Sequence, residues 1–117
     1  MSSTEPKQNL VVVWTSGDQE VARTVVFPYV LNARTQGWFD SVTFVVWGPS
    51  ARLLAATDEL QSLIAEMLAN GVEIEACRKC ASDYGVAEQL ESLHIDVRYM
   101  GEPLSSYIKE GRHVLTF

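Results

Sequence analysis

Two short runs, Leu10–Trp14 and Val42–Trp47, are apolar or β-branched at nearly every position and are set among segments whose apolar residues recur at helical spacing. A strand with no polar face has no side to give to water, so both runs predict strands covered on both sides. A third strand is expected over Val72–Ala76, a short fourth over Asp96–Tyr99 and a fifth over His113–Phe117. Strand and helix alternate throughout, which implies right-handed βαβ crossovers. The expected fold class is therefore α/β: a single-domain three-layer sandwich of about five mostly parallel strands.

The helices are delimited by their punctuation. Thr15-Ser16-Gly17-Asp18 supplies turn and N-cap chemistry, and a long helix is expected from Gln19 to Gln36, closed by Gly37. It is apolar nearly all round, and Pro28 in its middle predicts a kink. The breadth of that apolar surface points to packing against another subunit. Gly48-Pro49 ends the second strand. The leucine-rich stretch that follows shows a fresh helix start at Thr57-Asp58-Glu59 and a stop at Asn70-Gly71. Val86, Leu90 and Leu93 line a further helix, and Pro103 and Gly111 frame the last one. Residues 1–9 read as a flexible tail and 10–117 as the folded domain.

At 117 residues the chain is one domain with enough residues for a real core. Its net charge of −6, with nine scattered Lys and Arg, argues against nucleic-acid binding, which needs clustered cations on phosphate. The polar first nine residues and the shortness of Leu10–Trp14 exclude a signal peptide and a membrane span, so no membrane association and a cytoplasmic location are expected. In that compartment thiols stay reduced, and a Cys-x-x-Cys pair is more often redox-active or metal-binding than structural.

The chain's two cysteines stand in Cys77-Arg78-Lys79-Cys80, directly after the third strand. In an open α/β sheet ligands bind at the carboxyl ends of strands. The loops there are Thr15–Asp18, Trp47–Ser50, Cys77–Cys80 and Met100–Pro103. Cys77 also stands where a helix begins, and unpaired amides and the positive end of the helix dipole favour thiolate. Arg78 and Lys79 are expected to lower its pKa further, and Cys80 lies one turn along on the same side.

The commonest role of an apolar-flanked cysteine is packing, and Cys80 taken alone fits that reading about as well as a chemical one. Zinc is poorly served, because two cysteines make half a site and His94 and His113 lie elsewhere. Thr15-Ser16-Gly17 follows a strand but lacks the glycine-rich phosphate motifs; it caps a helix or binds an anion through its N–H groups. No cofactor motif is present. Trp14, Trp38 and Trp47 read as core or interface residues, with Trp47, just before Gly48-Pro49, placed to wall a cysteine pocket. Asp18 and Asp83 read as solvated carboxylates and His94 as a helix-end residue.

Several of these residues together resemble the DsrE/DsrF-like family, which includes the sulfur-relay subunits of the TusBCD and DsrEFH complexes. They are the Val72–Cys77 strand, a cysteine eight residues before Gly85, the Trp47-Gly48-Pro49 turn before a long amphipathic helix, and the compact length. The likeness extends from Leu10 to Phe117. It implies a flavodoxin-like parallel sheet and assembly with itself or related subunits into trimers or hexamers. It further implies a persulfide on the strand-end cysteine, matching Cys77, with sulfur donor and acceptor proteins as partners. Cys80 departs from the plain one-cysteine pattern. Ala81–Gly85 and the stretch Tyr99-Met100-Gly101-Glu102-Pro103-Leu104 resemble a stand-alone branch.

Three functions then compete. Cys77 carries sulfane sulfur with Cys80 as resolving thiol; the pair is a dithiol–disulfide switch; or the chain is a non-catalytic oligomeric binding module whose cysteines only pack. The candidate binding positions beside them are Thr15, Ser16, Gly17, Trp47, Gly48, Arg78, Lys79 and Gly101.

Overall fold

The computed structural model describes residues 7–117. The tail expected over residues 1–9 thus lies mostly outside the described residues, and its inner end is already structured. Gln8 exchanges backbone and side-chain hydrogen bonds with Asp40, and β1 begins at Asn9.

Five strands form one sheet: β1 (Asn9–Trp14), β2 (Ser41–Val46), β3 (Glu73–Cys77), β4 (Asp96–Arg98) and β5 (His113–Thr116). Their order is β4-β3-β2-β1-β5 and every neighbouring pair is parallel. The chain steps outward from β1 to β4 and then crosses back to place β5 on the far side of β1. That reversal is the switch in strand order at which α/β sheets open a crevice.

Alternate strand residues serve two cores, because successive side chains of a strand point to opposite faces. Leu10, Val12, Trp14, Phe44, Ile74 and Ala76 belong to the larger one. They pack with residues of α2 (Phe27–Thr35), α3 (Pro49–Ala56), α4 (Asp58–Ala69) and α6 (Ala87–Ser92). Trp14, Phe27 and Phe44 meet there, with ring centroids 4.9 to 5.6 Å apart. Val11, Val13, Val45 and Cys77 face the other way, toward Met100, Leu104 and Tyr107 of the β4–α7 corner and α7 (Gly101–Lys109).

The segment after β1 is helical over the expected range but not uniformly so. A short α1 (Gln19–Val21) passes into a π-helix (Ala22–Val26) and then α2, with Pro28 in its first turn. Proline removes one N–H and crowds the carbonyl four residues back, and the wider π turn just before it accommodates that conflict. Most of the apolar surface of this segment enters the chain's own core: Ala22, Val26, Phe27, Val30 and Ala33 are buried, while Val25 is exposed. Trp38 is also exposed, resting near Tyr29. The stops fall where the sequence placed them, Gly37, Gly71 and Gly111 each taking positive φ. No helix among the described residues is long and apolar enough to cross a membrane.

Candidate functional site

Cys77 is both the last residue of β3 and the N-cap of α5 (Arg78–Asp83), with φ −69° and ψ 117°. The strand period sends Ala76 into the larger core and Cys77 to the α7 face. There Cys77 is 6% exposed, in a cluster with Val13, Val45, Met100 and Tyr107. Its side chain makes no capping hydrogen bond to the first turn of α5. The position at the helix start is therefore closed to water rather than open to it. The β4–α7 corner covers that face, and the local helix signal carried no information about that cover.

Cys80, one helical turn on, is half-buried against the same cluster. Its thiol lies beside Cys77 and close to the backbone amide of Gly48. Burial, then the contact with Cys77, pushes the Cys80 thiol up, and the Gly48 amide opposes them. The amide that opposes the rise at Cys80 belongs to the β2–α3 turn rather than to the start of α5.

That turn depends on Gly48, whose φ of 82° and ψ of −144° lie in a region essentially restricted to glycine. Ser50, fully buried behind it, donates its hydroxyl to the Trp14 and Trp47 carbonyls at 2.5 and 3.2 Å. Trp47 lies half-buried against the cysteine cluster and so forms one wall of the site.

The other predicted positions are placed differently. Thr15 and Ser16 both donate their backbone N–H to the Phe117 carbonyl, at 2.6 and 3.2 Å, and the Thr15 hydroxyl adds a third bond at 2.9 Å. The donors considered for an anion are thus engaged within the chain at the β1–β5 switch. Gly17 lies beside Pro49, where an added Cβ would come within 3.2 Å of the proline Cβ, and the loop buttresses the turn that touches Cys80. Asp18 caps α1 through Glu20 and Val21. Arg78 turns away to the Val97 carbonyl at 2.6 Å and to Glu91 at 3.8 Å. Lys79 is exposed and paired with Asp83 at 3.1 Å, which holds its ammonium above the ordinary value. Gly101 opens α7 next to the buried Met100. Among the described residues no three His, Cys, Asp or Glu side chains gather to hold a metal ion.

The sequence reading missed a polar network on the same face. Glu75, two residues before Cys77 on β3 and 5% exposed, accepts from Arg98 and from the Tyr107 hydroxyl, the latter at 2.7 Å. Arg98 also donates to the Tyr107 oxygen at 3.0 Å and lies 3.4 Å from Asp96. In sheet register Arg98 is the neighbour of Cys77. One signal was available: Glu75 shares the parity of Cys77, so a buried carboxylate there required a cation from a neighbouring element. Beside the network an open cleft of about 580 Å³ is lined by Arg98, Tyr99, Glu102, Pro103, Ser106 and Tyr107.

The DsrE/DsrF-like family model matches residues 8–117. A conserved protein of unknown function from Bacteroides thetaiotaomicron has a similar structure, with a TM-score of 0.90, 36% identity, and coverage of 94% of this chain and 95% of that one. A protein of unknown function from Methanobacterium thermoautotrophicum shares the fold, with a TM-score of 0.74, 18% identity, and coverage of 94% and 99%. No curated protein matches.

Proposed function

Because the chain belongs to the DsrE/DsrF-like family, we propose that it is a sulfur-relay protein in which Cys77 bears a persulfide and Cys80 is its partner thiol. The observation that carries this reading is the packing of the two cysteines in one cluster at the carboxyl edge of the sheet, beside the Gly48 turn. Sulfane sulfur transfer needs a thiolate nucleophile, an N–H donor for the anionic sulfur and a second thiol within reach. The pair brings two thiols together and the Gly48 turn brings a backbone amide near them.

In the net loading step a donor persulfide gives its outer sulfur to the Cys77 thiolate. One S–S bond forms, one breaks, and the donor leaves as thiolate. Unloading has two balanced routes. An acceptor thiolate takes the outer sulfur and restores Cys77. Alternatively, Cys80 attacks the inner sulfur, expelling hydrosulfide and leaving a Cys77–Cys80 disulfide that a cellular dithiol must reduce. Partners under this reading are a persulfide donor and a thiol acceptor, and the chain works as a homo-oligomer, a trimer or hexamer. The reducing cytoplasm is the compartment that keeps both thiols available.

Intact-mass measurement of the reduced protein after exposure to glutathione persulfide tests the reading. A one-sulfur increment on the wild type, abolished when both cysteines are serine, is expected; an unmodified wild type sinks it. The adjacency of the thiols also favours a plain dithiol–disulfide switch. That second reading predicts reversible disulfide formation near cytosolic potentials with no retained sulfur adduct.

A further inference from the structure

Resting on the sulfur-handling reading, we propose that sulfane sulfur enters at Cys80 and moves inward to Cys77, so that the pair is a directional relay and Cys80 is the entry nucleophile. The two thiols differ in what surrounds them. Cys77 is 6% exposed and shares its cluster with Met100, itself 1% exposed, and with Val13, Val45 and Tyr107. A donor persulfide approaching Cys77 directly must displace part of that cover. Cys80 is half-buried, packed against the cluster that holds Cys77 and close to the Gly48 backbone amide. A persulfide formed on Cys80 therefore meets an N–H donor at the surface and places its sulfur beside the next nucleophile.

The chemistry balances without an external oxidant or reductant. The Cys80 thiolate attacks the outer sulfur of the donor persulfide; a Cys80 S–S bond forms, the donor S–S bond breaks, and the donor departs as thiolate. The Cys77 thiolate then attacks the outer sulfur of the Cys80 persulfide. The new bond is to Cys77, the bond to Cys80 breaks, and Cys80 leaves as a thiolate that takes up from solvent the proton Cys77 gave to solvent on ionising. Sulfane sulfur ends in the apolar cluster, away from adventitious thiols. Arg78 and Lys79, which stand between the cysteines in the chain, are bonded to Val97, Glu91 and Asp83.

The test is time-resolved loading of the full chain with glutathione persulfide, quenched by an alkylating agent. Trypsin cleaves after Arg78 and Lys79, so Cys77 and Cys80 are read on separate peptides. In the wild type the adduct is expected first on Cys80 and then on Cys77. Cys77→Ser accumulates it on Cys80. Cys80→Ser slows loading of Cys77 by about tenfold or more, with unfolding curves checked so that a folding defect is not mistaken for a lost entry point. Loading of Cys77 at the wild-type rate in Cys80→Ser, or no adduct on Cys80 in Cys77→Ser, overturns the relay order and leaves the sulfur-handling reading intact. No adduct on any of the three proteins overturns that reading itself.

Discussion

Arg98 on β4 bonds the carboxylate of Glu75 on β3, and through it a buried charge sits one pleat from Cys77 on the same face of the sheet. The guanidinium is part-exposed whereas the carboxylate is buried, so the two partners depend on each other unequally. Removing Arg98 leaves a buried anion with only the Tyr107 hydroxyl as donor; removing Glu75 returns a cation to water.

Arg98→Met is accordingly expected to lower stability by about 1–3 kcal/mol, the cost of a buried acceptor that loses its donor. Glu75→Gln is expected to cost less, and the double variant to recover part of the loss, with a coupling of about 0.5–3 kcal/mol. Urea unfolding of the four proteins in the cycle checks this. Strict additivity would show that the contact contributes nothing.

Tyr107 gives the fold an alkaline limit. Burial first, and then its hydrogen bond to the Glu75 carboxylate, push the phenol up to about 12. Its pKa is raised above that of an unfolded tyrosine, about 10, so the fold favours the neutral form. The stabilisation is complete below pH about 10 and is lost as pH rises through about 12. Tyr107→Phe cannot ionise, so its stability measured across those pH values should fall less steeply than that of the wild type. Parallel curves would remove Tyr107 from this role.

Gly48→Ala isolates a backbone effect. An added Cβ has space, its nearest neighbour being the Thr15 carbonyl oxygen at 3.9 Å, but the φ of 82° is one that alanine adopts only under strain. The expected cost is about 1–3 kcal/mol, or else a shifted turn that withdraws its N–H from Cys80. In the second case thermal unfolding changes little and the reactivity of Cys80 changes instead. An alanine variant identical to the wild type in both measurements would contradict the placement of this turn.

Cys80 should be the first thiol to be alkylated. Its half-burial against the full burial of Cys77 predicts that iodoacetamide at neutral pH labels the peptide carrying residue 80 ahead of the one carrying residue 77. The pH profile of Cys80 labelling should be centred above the ordinary thiol range, because burial and the contact with Cys77 raise its pKa. Faster labelling of Cys77 would mean that the β4–α7 corner opens in solution.

What the sequence determined on its own is everything with a local period or a local stop. The apolar runs specified β1 and β2, the alternation of elements specified a parallel sheet, and Gly37, Gly71 and Gly111 ended the helices at the expected places because only glycine takes positive φ without strain. The end of the third strand was legible from the β-type run Val72–Ala76, and β3 runs one residue further, to Cys77. The environment of the cysteines was not. Whether Cys77 meets water depends on where α7 folds after β4, and the charges of Arg78 and Lys79 were spent by Val97, Glu91 and Asp83 on neighbouring elements and on α5 itself. The Gly48 amide reaches Cys80 from a turn 32 positions earlier in the chain, and Glu75 finds its cation only because β4 lies beside β3. Periodicity records which side of its own element a residue occupies; which partner waits there is set by strand order and register, and only the folded sheet supplies those.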